Sequence, residues 1–90
     1  MSEFFYVYVL RSLKDGHLYT GYTSDLKNRV REHDSGFVAS TKERRPLELI
    51  YYEACRDQKG ATRREKYLKT AWGKRYLKAR LTAYLTGFTP

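Results

Sequence analysis

Two short runs of aromatic and β-branched residues flank an Asp-Gly pair near the start of the chain, which strongly limits the folds available to it. The runs are residues 4–11 (FFYVYVLR) and 17–22 (HLYTGY), and Asp15-Gly16 lies between them. Such runs are typical of strands, and Asp-Gly is a strong signal for a tight turn. We therefore predict a β-hairpin. Its first strand is apolar on both faces, which favours a central position in a sheet.

The hairpin is expected to place Tyr8 and Tyr19 on one face, although the sequence leaves its register open. With a two-residue turn at Asp15-Gly16, the two tyrosines lie about four residues apart, roughly 13 Å. With a longer loop, Tyr8 lies directly opposite Tyr19. Side chains alternate between faces, so both registers keep the tyrosines together. Residues 6, 10 and 21 share their face, and residues 7, 9, 18 and 20 point toward the predicted core.

A helix is predicted after the hairpin. Thr23 or Ser24 is the expected N-cap, and Asp25 suits the first turn because a negative charge is favourable at a helix N-terminus. The helix is expected to run to about Ser35, with Gly36 ending it.

This helix carries an arginine and a histidine on one stripe. Leu26 and Val30 form the predicted buried stripe, and Phe37 is expected to add to it just beyond the helix. Arg29 and His33 have the same four-residue spacing and lie about 60° around the helix from the apolar stripe. We therefore expect both side chains at the rim between core and solvent, where a site could form.

The remaining chain predicts one more strand and two more helices. Residues 37–46 read as a loop with a basic tip, and residues 47–54 (LELIYYEA) as a strand. Asp57 is the expected cap of a helix that ends near Trp72. Gly73 is expected to break that helix, and residues 74–86 form the last one. The predicted order is ββαβαα in one domain over residues 1–90.

The second predicted helix carries a carboxylate on its apolar stripe. Glu65 lies four residues after Ala61, in line with Leu68 and Trp72. A carboxylate in that position is at least partly desolvated and needs a cation as partner.

The charge balance favours a polyanionic partner, nucleic acid first. The formal net charge is +8, and residues 59–80 hold nine Lys or Arg but one acid. Cys55 is the only cysteine, which excludes an internal disulfide and fits a reducing cytoplasm. We expect no signal peptide, because the N-terminus lacks a basic n-region and a small-residue cleavage site. We expect no membrane span, because no apolar run approaches roughly 20 residues, and an acidic membrane surface is a weaker alternative to nucleic acid as the partner.

Five positions together resemble the GIY-YIG nuclease superfamily. Tyr6-Val7-Tyr8 and Tyr19-Thr20-Gly21 are similar to its two signature triplets, although the first triplet has Tyr6 in place of Gly. Arg29 and His33 match the family's helix Arg and its following His or Tyr, and Arg64-Glu65-Lys66 resembles the segment with the metal-binding Glu. The likeness is greatest to small stand-alone bacterial members, similar to the incision domain of the repair subunit UvrC.

The resemblance implies a fold and a chemistry. The fold is α+β, a small three-stranded antiparallel sheet flanked by helices, and the reaction is metal-assisted phosphodiester hydrolysis. Glu65 would hold Mg²⁺ or Mn²⁺, and Arg29 would brace the phosphate. Tyr8 or Tyr19 would act on the water, and His33 would either take the proton itself or hydrogen-bond a tyrosine hydroxyl. The predicted substrate-binding residues are Gly21, Arg44, Arg45, Arg64 and Lys69.

Three hypotheses remain open from the sequence. The first is an active endonuclease on DNA, with structured or branched substrates possible, which a recruiting protein partner could direct to its target. The second is a catalytically weak or inactive nucleic-acid-binding domain of the same fold. It is favoured somewhat because no Asn follows Glu65, where many family members use one to support the site. The third, weaker hypothesis is a protein-interaction module without affinity for nucleic acid.

Overall fold

The computed structural model describes residues 3–87. Its first half contains two strands, β1 (Phe5–Ser12) and β2 (Leu18–Thr23), followed by the helix α1 (Leu26–Asp34). A single 3-10 turn (Lys42–Arg44) precedes the third strand, β3 (Leu47–Cys55).

Three helices follow β3. They are α2 (Gln58–Leu68), α3 (Ala71–Arg80) and the short α4 (Thr82–Thr86). The predicted order ββαβαα is confirmed, with the last predicted helix divided into α3 and α4. Within residues 3–87, no helix has both the length and the apolar character needed to cross a membrane.

The strands form one antiparallel sheet in the order β2-β1-β3. This confirms the α+β prediction and the central position of β1. Tyr8 pairs with Gly21 on one side and with Tyr52 on the other. The β1–β3 register shifts after Val9, which leaves Ile50 as an extra residue on β3.

The hairpin register lies between the two alternatives that the sequence left open. The backbone N–H of Ser12 donates to the His17 carbonyl at 2.9 Å, which closes a loop at residues 13–16. Gly16 has a φ of 78°, a conformation that favours glycine. Tyr19 consequently pairs with Leu10, so Tyr8 and Tyr19 are two residues apart on the same face, with ring centroids separated by 6.4 Å. The prediction that Tyr8 and Tyr19 share one face is confirmed although the register differs, because the alternation of side chains determines the face.

The hydrophobic core lies between one face of the sheet and the helices α2 and α3. Its fully buried members are Val7 and Val9 from β1, Ala61 and Leu68 from α2, and Leu77 from α3. The opposite face of the sheet carries Tyr8 and is covered by α1, which lies across it through His33. The sheet is therefore enclosed between two helical layers.

The boundary between the second and third helices was predicted wrongly. The chain turns before Trp72, where Thr70 caps α3 by accepting from the Gly73 N–H at 3.2 Å. Gly73 does not break a helix but lies buried inside α3. A Cβ there would come within 2.1 Å of the Tyr67 carbonyl oxygen and 2.4 Å of the Leu68 Cα. Trp72 is 67% exposed rather than part of a buried stripe.

The first helix also differs from prediction at its N-cap and in its buried face, whereas it ends as predicted, with Ser35 as the C-cap and Gly36 beyond it at a φ of 80°. Asp25 is the N-cap and accepts from the Asn28 N–H, whereas the hydroxyl of Thr23 accepts from the Asp25 N–H. Phe37 is 82% exposed and adds nothing to the core. His33, which was expected at the rim, is fully buried, because polar partners on neighbouring segments satisfy both nitrogens of its ring.

Candidate active site

A chain of buried side-chain hydrogen bonds joins β1 to α1 and to the loop that follows α1. The Tyr8 hydroxyl lies 2.8 Å from His33 Nε2, and His33 Nδ1 lies 2.7 Å from the Thr41 hydroxyl. The Thr41 hydroxyl donates to the Val38 carbonyl at 3.5 Å. All three side chains are fully buried. Buried polar groups are costly unless they are paired, so this network fixes their positions relative to one another.

The hydrogen-bond partners of His33 determine which of its two ring nitrogens carries the proton. Burial lowers the pKa of His33, and the positive charge of Arg29 lowers it further, so the imidazole is neutral at neutral pH. Because the Thr41 hydroxyl donates to Val38, it accepts from His33 Nδ1–H. His33 Nε2 is then the acceptor, and the Tyr8 hydroxyl donates to it. The phenol proton of Tyr8 is therefore directed at the acceptor nitrogen of His33.

Arg29 approaches the same phenol from the solvent side. Its Nε donates to the Tyr8 oxygen at 3.4 Å, and its Nη1 pairs with Glu32 at 2.9 Å. Burial raises the pKa of Tyr8, and the hydrogen bond from Arg29 partly offsets this. The pKa of Arg29 is raised by its hydrogen bonds to Tyr8 and Glu32, so its charge is constant. In residues 3–87 its Nη2 has no hydrogen-bond partner and is available to an anion.

Gly21 makes room for the phenol of Tyr8. The two residues are paired across β1 and β2, and a Cβ on residue 21 would lie 2.4 Å from the Tyr8 hydroxyl oxygen. The tyrosine ring therefore occupies the space above the glycine. This contact explains why residue 21 is a glycine, independently of the predicted contact between Gly21 and the substrate.

Tyr19 connects the buried network to a basic groove at the β2 edge. Its ring lies 5.2 Å from the His33 ring and 6.4 Å from the Tyr8 ring, measured between centroids. It is half-buried and lines a groove of about 620 Å³. The basic residues of that groove are His17, Arg44, Lys69, Lys74 and Lys78. Two predicted substrate-binding residues, Arg44 and Lys69, thus lie beside the predicted catalytic tyrosine.

Glu65 lies on α2, and its charge contributes to the raised pKa of Tyr8. Its side chain is 20% exposed and pairs with Lys69 at 2.8 Å, so the predicted cation partner is present. Among residues 3–87 no three His, Cys, Asp or Glu side chains cluster as metal ligands. A lone carboxylate of this kind fits Mg²⁺ or Mn²⁺, because Mg²⁺ keeps most of its waters and takes phosphate oxygens as further ligands.

The structure does not bring Arg45 or Arg64 to this cluster. Arg45 donates to the backbone carbonyls of Lys42 and Asp34, on the far side of the loop. Arg64 is held by Glu53, with three hydrogen bonds of 2.9, 3.2 and 3.0 Å. Their present contacts favour structural roles.

Sequence reasoning missed Thr41, Glu32 and the groove lysines Lys74 and Lys78. Nothing in a loop threonine eight residues after His33 indicates that its hydroxyl reaches the imidazole. The two lysines were visible only as part of a basic segment, although their four-residue spacing places them on one stripe of α3.

Comparisons with known proteins agree with this architecture. The family model described as the GIY-YIG catalytic domain matches residues 4–79. A UPF0213 protein of Natronomonas pharaonis is 43% identical over 97% of this chain and 100% of its own length. A UPF0213 protein of Haloquadratum walsbyi is 39% identical over 78% of this chain and 79% of its own.

A solved structure is also similar. The solution NMR structure of a UPF0213 protein from Bacillus halodurans shares 35% sequence identity with this chain, covers 84% of it and 83% of its own length, and superposes with a TM-score of 0.53. The residues that the family model matches include both hairpin strands, α1 and α2, the helix that carries Glu65. The chain therefore belongs to the GIY-YIG family.

Proposed function

We propose that this protein is a metal-dependent endonuclease that hydrolyses phosphodiester bonds in DNA. The observation that carries the proposal is the Arg29–Tyr8–His33–Thr41 hydrogen-bond network beside a basic groove. Keeping three polar side chains buried and hydrogen-bonded, with a cation at the solvent-facing end, would be costly if the network served packing alone. It has the parts that phosphodiester hydrolysis needs, a proton acceptor and a cation for the phosphate.

In this proposal Tyr8 and His33 act together on the attacking water. Tyr8 is protonated at neutral pH because burial raises its pKa, so it is not a ready phenolate. It can accept a proton from water only as it passes its own proton to His33 Nε2, which lies 2.8 Å away. His33 then becomes an imidazolium, with Nδ1–H still donating to Thr41. The hydrogen bond from Arg29 Nε stabilises negative charge on the phenol oxygen during the transfer.

Arg29 has a second task at the phosphate. Its Nη1 is held by Glu32, which orients the planar guanidinium, while Nη2 remains open. Guanidinium groups match phosphate oxygens well and favour the additional negative charge of the transition state. The lysines and Arg44 of the groove would hold the flanking backbone.

Glu65 is the residue that would hold a divalent metal, Mg²⁺ or Mn²⁺. Such an ion would neutralise charge on the phosphate and on the leaving oxygen. Lys69 pairs with one carboxylate oxygen of Glu65, Oε2, and the other oxygen would be the ligand of the ion. Lys69 also lines the groove, where it would meet a phosphate.

A second candidate function is nucleic-acid binding without cleavage. It is favoured by the Lys69–Glu65 ion pair, which leaves the predicted metal ligand neutralised, and by the absence of an Asn after Glu65. The basic groove serves this function equally well. We propose the cytoplasm as the location in both cases, and a recruiting protein partner as the source of target choice.

The test is nicking of supercoiled DNA with Mg²⁺ or Mn²⁺, with an EDTA control. Tyr8→Phe removes only the hydroxyl and is expected to lower the rate by about 10²-fold or more, the usual contribution of a proton-transfer group. Glu65→Gln should abolish metal-dependent cleavage. Glu43→Gln is the matched control and should cut normally, because Glu43 is an exposed carboxylate that lines a separate depression and not the groove.

Two outcomes would decide against cleavage by this site. Nicking that survives both Tyr8→Phe and Glu65→Gln would exclude the proposed residues. Salt-sensitive DNA binding without any nicking would favour the second function.

A further inference from the structure

A second exposed surface lies where α2 meets α3, and we call it the aromatic corner. It consists of Tyr67, Trp72 and Tyr76, together with Arg64 and Arg75. The three aromatic side chains are 41%, 67% and 37% exposed. Large aromatic residues grouped on a surface mark a binding site more often than scattered ones do.

Each arginine of the corner lies over an aromatic ring. The Arg75 guanidinium carbon is 4.7 Å from the centre of the Trp72 ring. The Arg64 guanidinium carbon is 4.8 Å from the centre of the Tyr76 ring and 5.3 Å from that of Tyr67. Glu53 fixes Arg64 with three hydrogen bonds, so this part of the corner is ordered before any partner binds. Preorganised rings lose little conformational freedom when a flat ligand stacks on them.

The corner is distinct from the groove at the β2 edge. Trp72 and Lys74 lie about 160° apart around α3, so the helix separates the two surfaces. The Tyr76 hydroxyl contacts that of Tyr51 on β3, at the opposite edge of the sheet from the groove. A strand that binds in the groove therefore does not contact the residues of the aromatic corner.

The charge around the corner favours a polyanion. Of its two arginines, Arg64 is paired with Glu53, whereas Arg75 is exposed over Trp72 and forms no salt bridge within residues 3–87. Aromatic rings beside exposed cations are the combination that binds single-stranded nucleic acid, in which bases stack and phosphates meet the cations. Bases in a duplex are already stacked on each other and cannot present a face to Trp72.

We propose that the aromatic corner binds unpaired nucleotides, with one base stacked on Trp72. This inference rests on the proposed function, because it assumes a nucleic-acid substrate. It adds that the preferred substrate contains a single-stranded segment, such as a flap, a gap or a branch. Arg75 either packs on the opposite face of that base or moves to the adjacent phosphate.

The chain offers a direct probe, because Trp72 is its only tryptophan. A stacked base quenches indole fluorescence, whereas a phosphate contact elsewhere on the protein does not by itself quench it. Oligo(dT) of 16 nucleotides should quench the emission, and an abasic strand of the same length and charge should quench it much less. Equal quenching by the two strands, or none by either while oligo(dT) binds, would overturn the stacking assignment.

Substitutions give a second readout through the anisotropy of a labelled oligo(dT). Trp72→Leu is expected to weaken binding about 5-fold or more, the lower range for the loss of a base stack. Trp72→Phe keeps an aromatic face and should restore most of the affinity. Tyr84→Leu is the matched control, because Tyr84 lies on α4, away from the corner, and is as exposed as Tyr67. Binding of the abasic strand should respond little to any of these changes.

The same experiment separates this inference from the proposed function. Duplex nicking that persists in Trp72→Leu, together with normal oligo(dT) binding, would reject the corner and leave the nuclease intact. Loss of oligo(dT) binding with retained duplex nicking supports the corner. A wild-type protein that binds neither oligo(dT) nor duplex would reject both proposals.

Discussion

At the scale of single residues, the site is organised by one histidine. His33 contacts Tyr8 through Nε2 and Thr41 through Nδ1, so the proton on one nitrogen decides what the other can do. Thr41 is therefore a positioning residue, since it selects the tautomer in which Nε2 accepts from the phenol. The proposed chemistry depends on a hydroxyl that never touches the substrate.

Replacing Thr41 with Val tests this positioning role. Valine has nearly the same shape but cannot accept from Nδ1–H, which would leave a buried donor without its partner. We expect a loss of about 1–3 kcal/mol in the free energy of unfolding, measured with urea. The ¹⁵N shifts of the His33 ring should also change, and Thr41→Ser should restore them. Unchanged ring shifts in Thr41→Val would contradict the assignment of the tautomer.

The lowered pKa of His33 predicts how stability depends on pH. The unfolded chain titrates this histidine near the ordinary value of about 6.5. The folded protein binds its proton only at lower pH, because burial and the Arg29 charge disfavour the imidazolium, against weaker opposite effects of Asp34 and Glu32. Between those two pKa values the unfolded state holds more protons, so stability rises with pH. The free energy of unfolding should therefore fall as the pH drops below about 6.5.

Unfolding in urea from pH 7.5 to 5.0 measures this dependence. In His33→Gln the part of the slope due to this histidine should disappear. His17→Gln removes an exposed histidine and should retain the wild-type fall. A slope that is the same in wild type and His33→Gln would contradict the argument.

At the scale of elements, the sequence predicted what alternation and periodicity determine. Tyr8 and Tyr19 share a face because side chains alternate along a strand, whatever the length of the turn. The register itself was missed because it depends on how the loop at residues 13–16 closes, through the Ser12–His17 hydrogen bond. His33 was placed at the rim because spacing cannot show that Thr41 comes from a later loop to satisfy it.

The error at Gly73 has a similar origin. Glycine is a poor helix former, so the sequence alone favours a break at this position. In the folded protein the missing side chain allows the start of α3 to pack directly on the end of α2. The helix tolerates a weak former here because a larger residue would not fit, which only the tertiary structure reveals.

Gly73→Ala tests that contact between the two helices. Alanine improves helix propensity by about 1 kcal/mol. Its Cβ would meet backbone atoms at 2.1 and 2.4 Å, however, and backbone cannot move aside as a side chain can. We expect a net destabilisation of about 1–3 kcal/mol in urea unfolding. Gly60→Ala in α2 is the control, because its nearest contact is the movable end of the Asp57 side chain at 3.1 Å. A more stable Gly73→Ala protein would contradict the packing argument.

At the scale of the whole molecule, the positive charge is distributed over surfaces with different contacts. Lys69, Lys74 and Lys78 line the groove beside Tyr19. Lys14 and Lys42, in contrast, lie in a separate depression next to Asp34 and Glu43. Net charge alone would attract DNA to every basic surface equally. The proposed function requires that the groove carries the phosphate contacts.

The salt dependence of DNA binding distinguishes these cases. Each phosphate contact contributes about 0.9 to the slope of log affinity against log salt concentration, since it releases a bound counterion. Changing Lys69, Lys74 and Lys78 to Gln should reduce the slope by up to about 0.9 per lysine. Lys14 and Lys42 lie in the separate depression, and Lys27 on α1 also lies outside the groove. Changing these three lysines to Gln removes the same charge and should lower affinity at low salt with little change in slope. If both triple variants reduce the slope equally, DNA binds by general attraction and the groove is not its site. If only the groove variant reduces it, the strand passes beside Tyr19, within reach of Arg29 and the buried proton acceptor.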